Sequence, residues 1–221
     1  MNNRHPSATR IKICGLTRAE DICSLAGFGI DFVGFVFVPA SPRFLSRAKA
    51  VGLASLVKDG IKKIGVFANQ DQSLVSSLSR DVGLDFLQFH GEETPEFCRS
   101  FGLPFFKAFP VLGTVAWEKA AAYRPGKILL DSSSRSKRGG TGIAFDWSLA
   151  LGDRRGMDLI LAGGLNPENV GEAIRRVRPW GVDVSSGVEL APGVKEIEKI
   201  RRFVEAVKAA DEEIFTRPPH K

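Results

Sequence analysis

Cysteine and histidine are scarce in this chain of 221 residues, which contains three of each. The cysteines, Cys14, Cys23 and Cys98, are odd in number and lack the paired spacing of a zinc site or a disulfide framework. We therefore expect reduced thiols in a cytoplasmic protein. Two of the histidines, His5 and His220, lie close to the chain ends. Too few imidazoles remain for a histidine-rich metal site, and we expect no bound metal.

Long apolar runs and the motifs of nucleotide or nucleic-acid binding are also missing. No run approaches the roughly 20 residues that cross a bilayer, and the first ten residues lack the apolar region of a signal peptide. The formal charge is +6, but no block of lysine and arginine with interleaved aromatics indicates a nucleic-acid surface. No Gly-x-Gly-x-x-Gly opens the first helix, so dinucleotide binding has no support. A basic balance without these motifs suits a small anionic substrate, such as a phosphate ester.

Short apolar runs alternate with helical patterns along the whole chain. The pattern predicts eight strands, at residues 10–14, 31–38, 62–68, 85–90, 104–110, 127–131, 158–162 and 181–185. Predicted helices lie at 18–28, after 39–46, at 72–82, 95–101, 115–123, near 147, at 167–177 and at 194–209. Strand and helix repeated eight times, with no change of composition, predict an α/β fold: one (β/α)8 TIM barrel domain over residues 1–221. A doubly wound open sheet is the structural alternative, and residues 1–9 and 211–221 are expected to form loosely ordered tails.

Glycine and serine cluster where the last predicted strands end. The three clusters lie in neighbouring loops and contain Gly140, Thr141 and Gly142; Gly163 and Gly164; and Ser185, Ser186 and Gly187. In barrels, the loops at this end commonly bind phosphate through exposed backbone N–H groups. One Gly-Gly pair would be a weak signal, because glycine ends many strands. Three adjacent clusters indicate a phosphate site.

Acid–base candidates occur at the same strand ends. Cys14 ends the first strand, and alternation places it on the same side as Lys12, whose charge would lower the pKa of a thiol. A small buried hydrophobic residue is the simpler interpretation of a lone cysteine. Asp131 ends an apolar strand and suits a general acid, a partner for Lys12 or a cap. Asp183 could do the same, pair with Lys12 or hold substrate hydroxyls.

Three further polar residues leave alternatives open. Arg43 suits an anion clamp, although an exposed loop arginine is the simpler interpretation. His90 is the one histidine in a predicted strand, and a structural role is at least as common as a catalytic one. Lys107, on the fifth strand, would suit a Schiff-base aldolase.

The order of several motifs resembles the phosphoribosylanthranilate isomerase family of tryptophan biosynthesis. The motifs are KICGLTR (12–18), GFVF (34–37), SPR (41–43), GVFAN (65–69), LQFHG (87–91), LLDSS (129–133), GGTG (139–142), FDW (145–147), LAGGLNPENV (161–170), DVSSGVE (183–189) and PGVK (192–195). LAGGLNPENV occurs loosely in other phosphate-binding barrels, whereas KICGLTR, SPR and DVSSGVE in this order are specific. The resemblance covers residues 12–207, nearly the whole chain.

The resemblance implies a cofactor-free Amadori rearrangement of N-(5'-phosphoribosyl)anthranilate. It implies that Asp131 is the general acid that opens the furanose ring and that Cys14 is the general base that removes the C2 proton. Asp183 would help to hold the substrate, and Arg43 would lie at the anthranilate end. The glycines and serines after strands six to eight would bind phosphate. Lys12 and His90 are assigned to substrate binding together with Asp183 and Arg43.

Two other functions stay open on sequence grounds. One is a different phosphate-binding barrel enzyme, such as an aldolase that works through Lys107. The other is a barrel that binds a phosphate ligand without catalysis, which the presence of both Cys14 and Asp131 disfavours. In each case the expected partner is a small molecule, neither nucleic acid nor membrane, and the expected assembly is a monomer or a homodimer.

Overall fold

Eight parallel strands close into a barrel in the computed structural model, which describes residues 8–111, 113, 115, 117–132 and 146–216. Each strand pairs with the next, and the first pairs with the last. The strands are β1 (Arg10–Cys14), β2 (Phe32–Val36), β3 (Lys62–Phe67), β4 (Phe86–Phe89), β5 (Phe105–Pro110), β6 (Lys127–Asp131), β7 (Leu159–Leu161) and β8 (Gly181–Val184). The predicted (β/α)8 barrel is confirmed, and the open-sheet alternative is wrong because β1 and β8 join.

Helices connect the strands on the outside of the barrel. They are α1 (Ala19–Ser24), α2 (Arg47–Ala54), α3 (Gln72–Val82), α4 (Pro95–Arg99), α5 (Trp117–Ala121), α6 (Val170–Val177) and α7 (Ile197–Thr216). Local signals set their ends: the Asp71 side chain accepts a hydrogen bond from the Leu74 N–H to begin α3, and Gly83 ends it in the left-handed conformation. A 3₁₀ helix, Trp147–Leu151, precedes β7. Within the described ranges, no helix combines the length and apolarity that a membrane span requires.

Alternating side chains divide the core into two layers. Ile11 and Ile13 of β1 point outwards and belong to the large cluster between strands and helices, while Lys12 and Cys14 point into the barrel. Four rings fill the lower end of the barrel, where the strands begin, and we call them the aromatic plug: Phe32, Phe86, Phe106 and Trp180. Their ring centroids lie 5.5 to 6.3 Å apart in edge-on or tilted contacts. Since the lower end is filled by rings, a ligand is expected at the upper end, where the sites of such barrels lie.

The C-terminal region differs from the sequence prediction in two places. Residues 189–195 form an antiparallel hairpin of β9 (Glu189–Ala191) and β10 (Val194–Lys195), so the last helix begins at Ile197 rather than at residue 194. That helix continues to Thr216, and the prediction of a loose tail from residue 211 is wrong for 211–216. Burial of Asp211 explains the difference.

The Asp211 side chain ties the start of the chain to the last helix. Its carboxylate accepts hydrogen bonds from the Thr9 N–H at 2.9 Å and from the Thr9 hydroxyl at 2.6 Å. Ile214, one turn further on, packs against the core. Thr9 is therefore also fixed, although it was expected in a loose tail. Residues 1–7 and 217–221 lie outside the described part of the chain.

Candidate active site

A cavity of about 270 Å³ opens at the end of the barrel where the strands terminate. Its wall combines apolar side chains from β2 and β3 with polar groups from the other strands and loops. Predicted site residues that line it are Cys14, Arg43, His90, Asp131, Gly163, Gly164, Asp183, Ser185 and Ser186. Lys12 and Gly187 are not among the lining residues, and Gly140, Thr141 and Gly142 lie outside the described residues. Most of the site residues predicted at the strand ends therefore lie around one cavity.

Lys12 lies beneath Cys14, below the floor of the cavity. Its side chain is about 2% exposed, and Nζ donates a hydrogen bond of 2.9 Å to Oδ2 of Asp183. Gly34 of the neighbouring strand makes this arrangement possible, because a Cβ there would lie 2.8 Å from the sulfur of Cys14 and 3.2 Å from Nζ of Lys12. The sequence assigned Lys12 to substrate binding. In the structure its ammonium group lies below the cavity, where it contacts Asp183.

Burial outweighs Lys12 in setting the acidity of Cys14. Removal of the thiol from water raises its pKa above the ordinary value, and the charge of Asp183 adds to that effect. Lys12 and Lys195 oppose it without reversing it. The sequence predicted that the neighbouring lysine lowers the pKa of this thiol; Lys12 does act in that direction, but burial, which the sequence does not show, outweighs it. The surroundings of Cys14 therefore favour its neutral thiol over the thiolate.

Asp131 lies within hydrogen-bond distance of the imidazole of His90. Nε2 of His90 lies 3.2 Å from Oδ2 of Asp131, and Nδ1 of His90 lies 3.2 Å from the amide nitrogen of Gln88. The imidazole therefore bridges the amide of Gln88 and the carboxyl group of Asp131. Gly163, with φ of 74°, leaves room for this carboxyl group, because a Cβ there would lie 2.6 Å from Oδ1 of Asp131. His90 thus orients Asp131.

Arg43 is held by an acidic partner that the sequence analysis did not single out. Its guanidinium makes a two-pronged ion pair with Glu189, through Nε at 2.8 Å and Nη2 at 2.5 Å. Glu189 also accepts a hydrogen bond of 2.7 Å from Nζ of Lys195. The simpler interpretation of Arg43, an exposed loop arginine, is wrong, since its side chain is 12% exposed.

Glycines and serines after β7 and β8 form one rim of the cavity. Gly163 and Gly164 have φ of 74° and 69°, a conformation that side-chain-bearing residues adopt rarely. Ser185 and Ser186 follow β8, and the hydroxyl of Ser185 donates to the backbone carbonyl of Cys14 at 3.1 Å. Gly187 has a packing reason to be glycine, because a Cβ there would lie 2.0 Å from the carbonyl oxygen of Leu165.

Lys107 lies in the wall of the barrel and points away from the cavity. Its side chain is 4% exposed, and Nζ donates to the carbonyl oxygens of Gly91 at 2.7 Å and Ala108 at 3.1 Å. The carboxylate of Glu93 lies 3.6 Å from the same nitrogen. Burial lowers the pKa of Lys107, as a Schiff-base lysine requires, but the amine faces backbone carbonyls instead of a ligand space. The aldolase alternative is therefore wrong.

Comparison with known proteins identifies the family. A sequence model described as N-(5'phosphoribosyl)anthranilate (PRA) isomerase matches residues 11–206. The chain belongs to this isomerase family. An N-(5'-phosphoribosyl)anthranilate isomerase from Trichlorobacter lovleyi is 43% identical over 202 residues, which cover 91% of this chain and 98% of that protein. One from Xanthomonas oryzae pv. oryzae is 45% identical over 218 residues, covering 95% and 97%.

Solved structures of the isomerase family have the same architecture. The crystal structure of the phosphoribosyl anthranilate isomerase from Thermotoga maritima matches with a TM-score of 0.85 and 40% identity, over 91% of this chain and 99% of that one. A family structure in complex with reduced 1-(o-carboxyphenylamino)-1-deoxyribulose 5-phosphate matches with a TM-score of 0.82 and 40% identity over the same shares.

Sequence reasoning missed two charged residues beside the cavity of this family member. Glu189 and Lys195 are the last residues of the motifs DVSSGVE and PGVK, so the signal was present in the resemblance. No role followed from it, because the hairpin that brings them together has strands of only three and two residues. Such short strands fall below the length at which alternation is recognisable.

Proposed function

We propose that this chain catalyses the Amadori rearrangement of N-(5'-phosphoribosyl)anthranilate to 1-(2-carboxyphenylamino)-1-deoxyribulose 5-phosphate, a step of tryptophan biosynthesis, by general acid–base catalysis without a metal or cofactor. One observation carries the proposal: Cys14 and Asp131, on β1 and β6, line the same cavity. The reaction needs a proton donor and a proton acceptor on one sugar phosphate, and these two groups supply them.

Asp131 is the general acid in this proposal. In its protonated form it donates a proton to the ring oxygen of the ribose, and the C1–O bond breaks while the nitrogen lone pair forms the Schiff base. The contact with Nε2 of His90 at 3.2 Å fixes the direction of the carboxyl group. His90 therefore acts through Asp131, and its place in the cavity wall is also consistent with the substrate contact that the sequence assigned to it.

Cys14 is the general base. Its thiolate takes the proton from C2 of the Schiff base, which gives an enolamine that tautomerises to the ketone. Burial raises the pKa of the thiol, so the thiolate is a minor species that is strongly basic when it forms. Lys12 stabilises that thiolate from below. Oδ1 of Asp183, buried and without a hydrogen-bond partner among the described residues, is suited to accept a substrate hydroxyl.

The two ends of the substrate are assigned to different groups in the cavity wall. The backbone of Gly163, Gly164, Ser185 and Ser186 is assigned to the phosphate, because consecutive N–H groups on such loops favour anions. Arg43 is assigned to the carboxylate of the anthranilate group. Gly140, Thr141, Gly142 and Gly187 stay in the phosphate assignment on sequence grounds alone.

Two substitutions test the chemical assignment. Asp131→Asn and Cys14→Ala are each expected to lower kcat by about 10²- to 10⁴-fold, because each removes one proton-transfer group. Binding of reduced 1-(2-carboxyphenylamino)-1-deoxyribulose 5-phosphate is expected to change far less. Substrate generated in situ and followed by its fluorescence provides the assay, and Cys23→Ala, an exposed cysteine, is the control. Near-normal turnover in both variants would overturn the assignment.

We also infer a cytoplasmic location and a small-molecule partner. The three cysteines are free thiols, which is typical of a reducing compartment. The assembly is proposed to be a monomer or a homodimer. Size-exclusion chromatography with light scattering distinguishes the two.

A further inference from the structure

Glu189 and Lys195 form a buried ion pair in the hairpin that follows β8. Their side chains are 3% and 1% exposed, and Nζ of Lys195 lies 2.7 Å from Oε1 of Glu189. Removing two charges from water is costly, and a buried ion pair is often no more stable than apolar residues of similar size. We call these two residues the Glu189–Lys195 pair.

The side chain that depends most directly on this pair is Arg43. Both carboxylate oxygens of Glu189 accept hydrogen bonds from its guanidinium, at 2.8 Å from Nε and 2.5 Å from Nη2. This geometry fixes the plane of the guanidinium as well as its position. Nη1 of Arg43 has no hydrogen-bond partner in the part of the chain that the structure describes. The fixed guanidinium thus keeps donors for a ligand.

The charges of the three residues leave the cluster cationic. Arg43 and Glu189 alone would be neutral together and would attract a carboxylate weakly. Lys195, in contact with the same carboxylate, brings the formal charge of the cluster to +1. A carboxylate that reaches Arg43 therefore meets a net positive charge even though Arg43 is already paired.

Lys195 has no proton left for a substrate. Nζ donates to the carbonyl oxygen of Cys14 at 2.6 Å, to the carbonyl oxygen of Ser185 at 3.2 Å and to Glu189 at 2.7 Å. An ammonium group has three N–H donors, and these contacts use all of them. Lys195 therefore acts through its neighbours, and its backbone N–H, bonded to Asp21 at 3.1 Å, anchors it to α1.

We propose that the Glu189–Lys195 pair is a positioning device for Arg43: it fixes the guanidinium that binds the substrate carboxylate and preserves the net positive charge there. This inference rests on the assignment of Arg43 to the anthranilate end of the substrate. Neither residue of the pair touches the reacting atoms, so both are positioning residues.

The test measures how much of ligand affinity depends on the carboxylate. The two probes are reduced 1-(2-carboxyphenylamino)-1-deoxyribulose 5-phosphate and the same compound with an unsubstituted phenylamino group. We expect the natural protein to bind the first about 10- to 100-fold more tightly, the range for a charge-assisted contact. The ratio of the two dissociation constants, determined by calorimetry, is the readout. General loosening of the fold would weaken both ligands equally and leave this ratio unchanged.

The decisive variant is Glu189→Asp, which keeps the charge and the counter-ion of Lys195 but withdraws the carboxylate by one methylene. We expect the affinity ratio to fall by about fivefold or more, because the guanidinium loses its second hydrogen bond. Arg43→Met is expected to bring the ratio close to one, and Glu189→Asp in that background is expected to change nothing further. Glu172→Asp, in an exposed ion pair with Arg176 on α6, is the matched control.

Two results would overturn the proposal. One is an affinity ratio that stays unchanged in Glu189→Asp, and the other is an equal effect of Glu189→Asp with and without Arg43. Failure of the proposed function is recognised separately, since the natural protein would then not turn over phosphoribosylanthranilate. Unchanged turnover together with an unchanged ratio overturns only the role of the pair.

Discussion

Replacement of Lys12 by methionine is expected to raise the pKa of Cys14 further and to slow turnover. The sulfur of Cys14 and Nζ of Lys12 lie 2.8 and 3.2 Å from one point, the Cβ position of a hypothetical alanine at residue 34. The two atoms are therefore at most about 6 Å apart. Both groups are removed from bulk water, so their interaction is screened little by salt.

The size of the effect follows from this distance. At the upper limit of about 6 Å and an effective dielectric constant of about 20, the attraction between a thiolate and an ammonium group is about 3 kcal/mol, and it is larger at a shorter distance. Its loss raises the pKa of Cys14 further and corresponds to a roughly 100-fold lower thiolate population near neutral pH. A more basic thiolate removes a proton faster, which offsets part of the loss. We therefore expect turnover to fall by about 10- to 100-fold.

Alkylation by iodoacetamide measures the same pKa without the reaction. Only the thiolate is alkylated, so the rate at Cys14 rises with pH up to the pKa of that thiol. Burial raises this pKa in the natural protein, and the inflection is expected above pH 9.0, the ordinary thiol value. A Cys23→Ser background removes the exposed thiol, and mass spectrometry identifies the modified residue. In Lys12→Met the inflection is expected at a higher pH than in the natural protein.

Lys62→Met is the control for Lys12→Met. Lys62→Met removes an exposed lysine that pairs with Asp85, and it is expected to leave the inflection in place. Lys12→Met also leaves the buried carboxylate of Asp183 without its cation, at a cost of about 3–5 kcal/mol, so thermal denaturation must show that the variant is folded. An inflection that moves by less than about half a unit, or downwards, would show that Lys12 does not stabilise the thiolate.

Three further substitutions have outcomes that the structure fixes in direction. Glu93→Gln leaves the buried ammonium of Lys107 without its counter-ion and is expected to lower the free energy of unfolding in urea by about 3–5 kcal/mol. The loss is expected to be smaller when Lys107→Met is also present, and an equal loss would contradict the ion pair. Asp211→Ala removes two buried hydrogen bonds and is expected to cost about 1–3 kcal/mol, whereas an unchanged urea midpoint would contradict their role. Gly34→Ala is expected to lower kcat, because its Cβ would meet the sulfur of Cys14 at 2.8 Å; full activity would place the thiol elsewhere.

The sequence was sufficient for the strands because each is a short apolar run bounded by turn residues. Predicted and observed bounds of β1 and β6 are identical, and those of the other strands differ by one or two residues at one or both ends. Closure of the barrel followed from the number of repeats, and it required no knowledge of individual contacts.

Burial and short-range geometry were beyond the reach of the pattern. Lys107 sits one residue from Phe106, and that single step decides whether its amine faces the cavity or the helices. The acidity of Cys14 depends on how completely its neighbours exclude water, a property of the assembled barrel. Glu189 meets Arg43 across 146 residues of sequence, a pairing that no local pattern encodes.

The aromatic plug has a consequence for the passage of ligands. Phe32, Phe86, Phe106 and Trp180 fill the end of the barrel opposite to the cavity. A substrate therefore enters, and its product leaves, through the same opening. Because both use one opening, a product that has not departed blocks the next substrate, and product is expected to compete with substrate for the cavity. The departure of product thus sets an upper bound on the rate, however fast the proton transfers become.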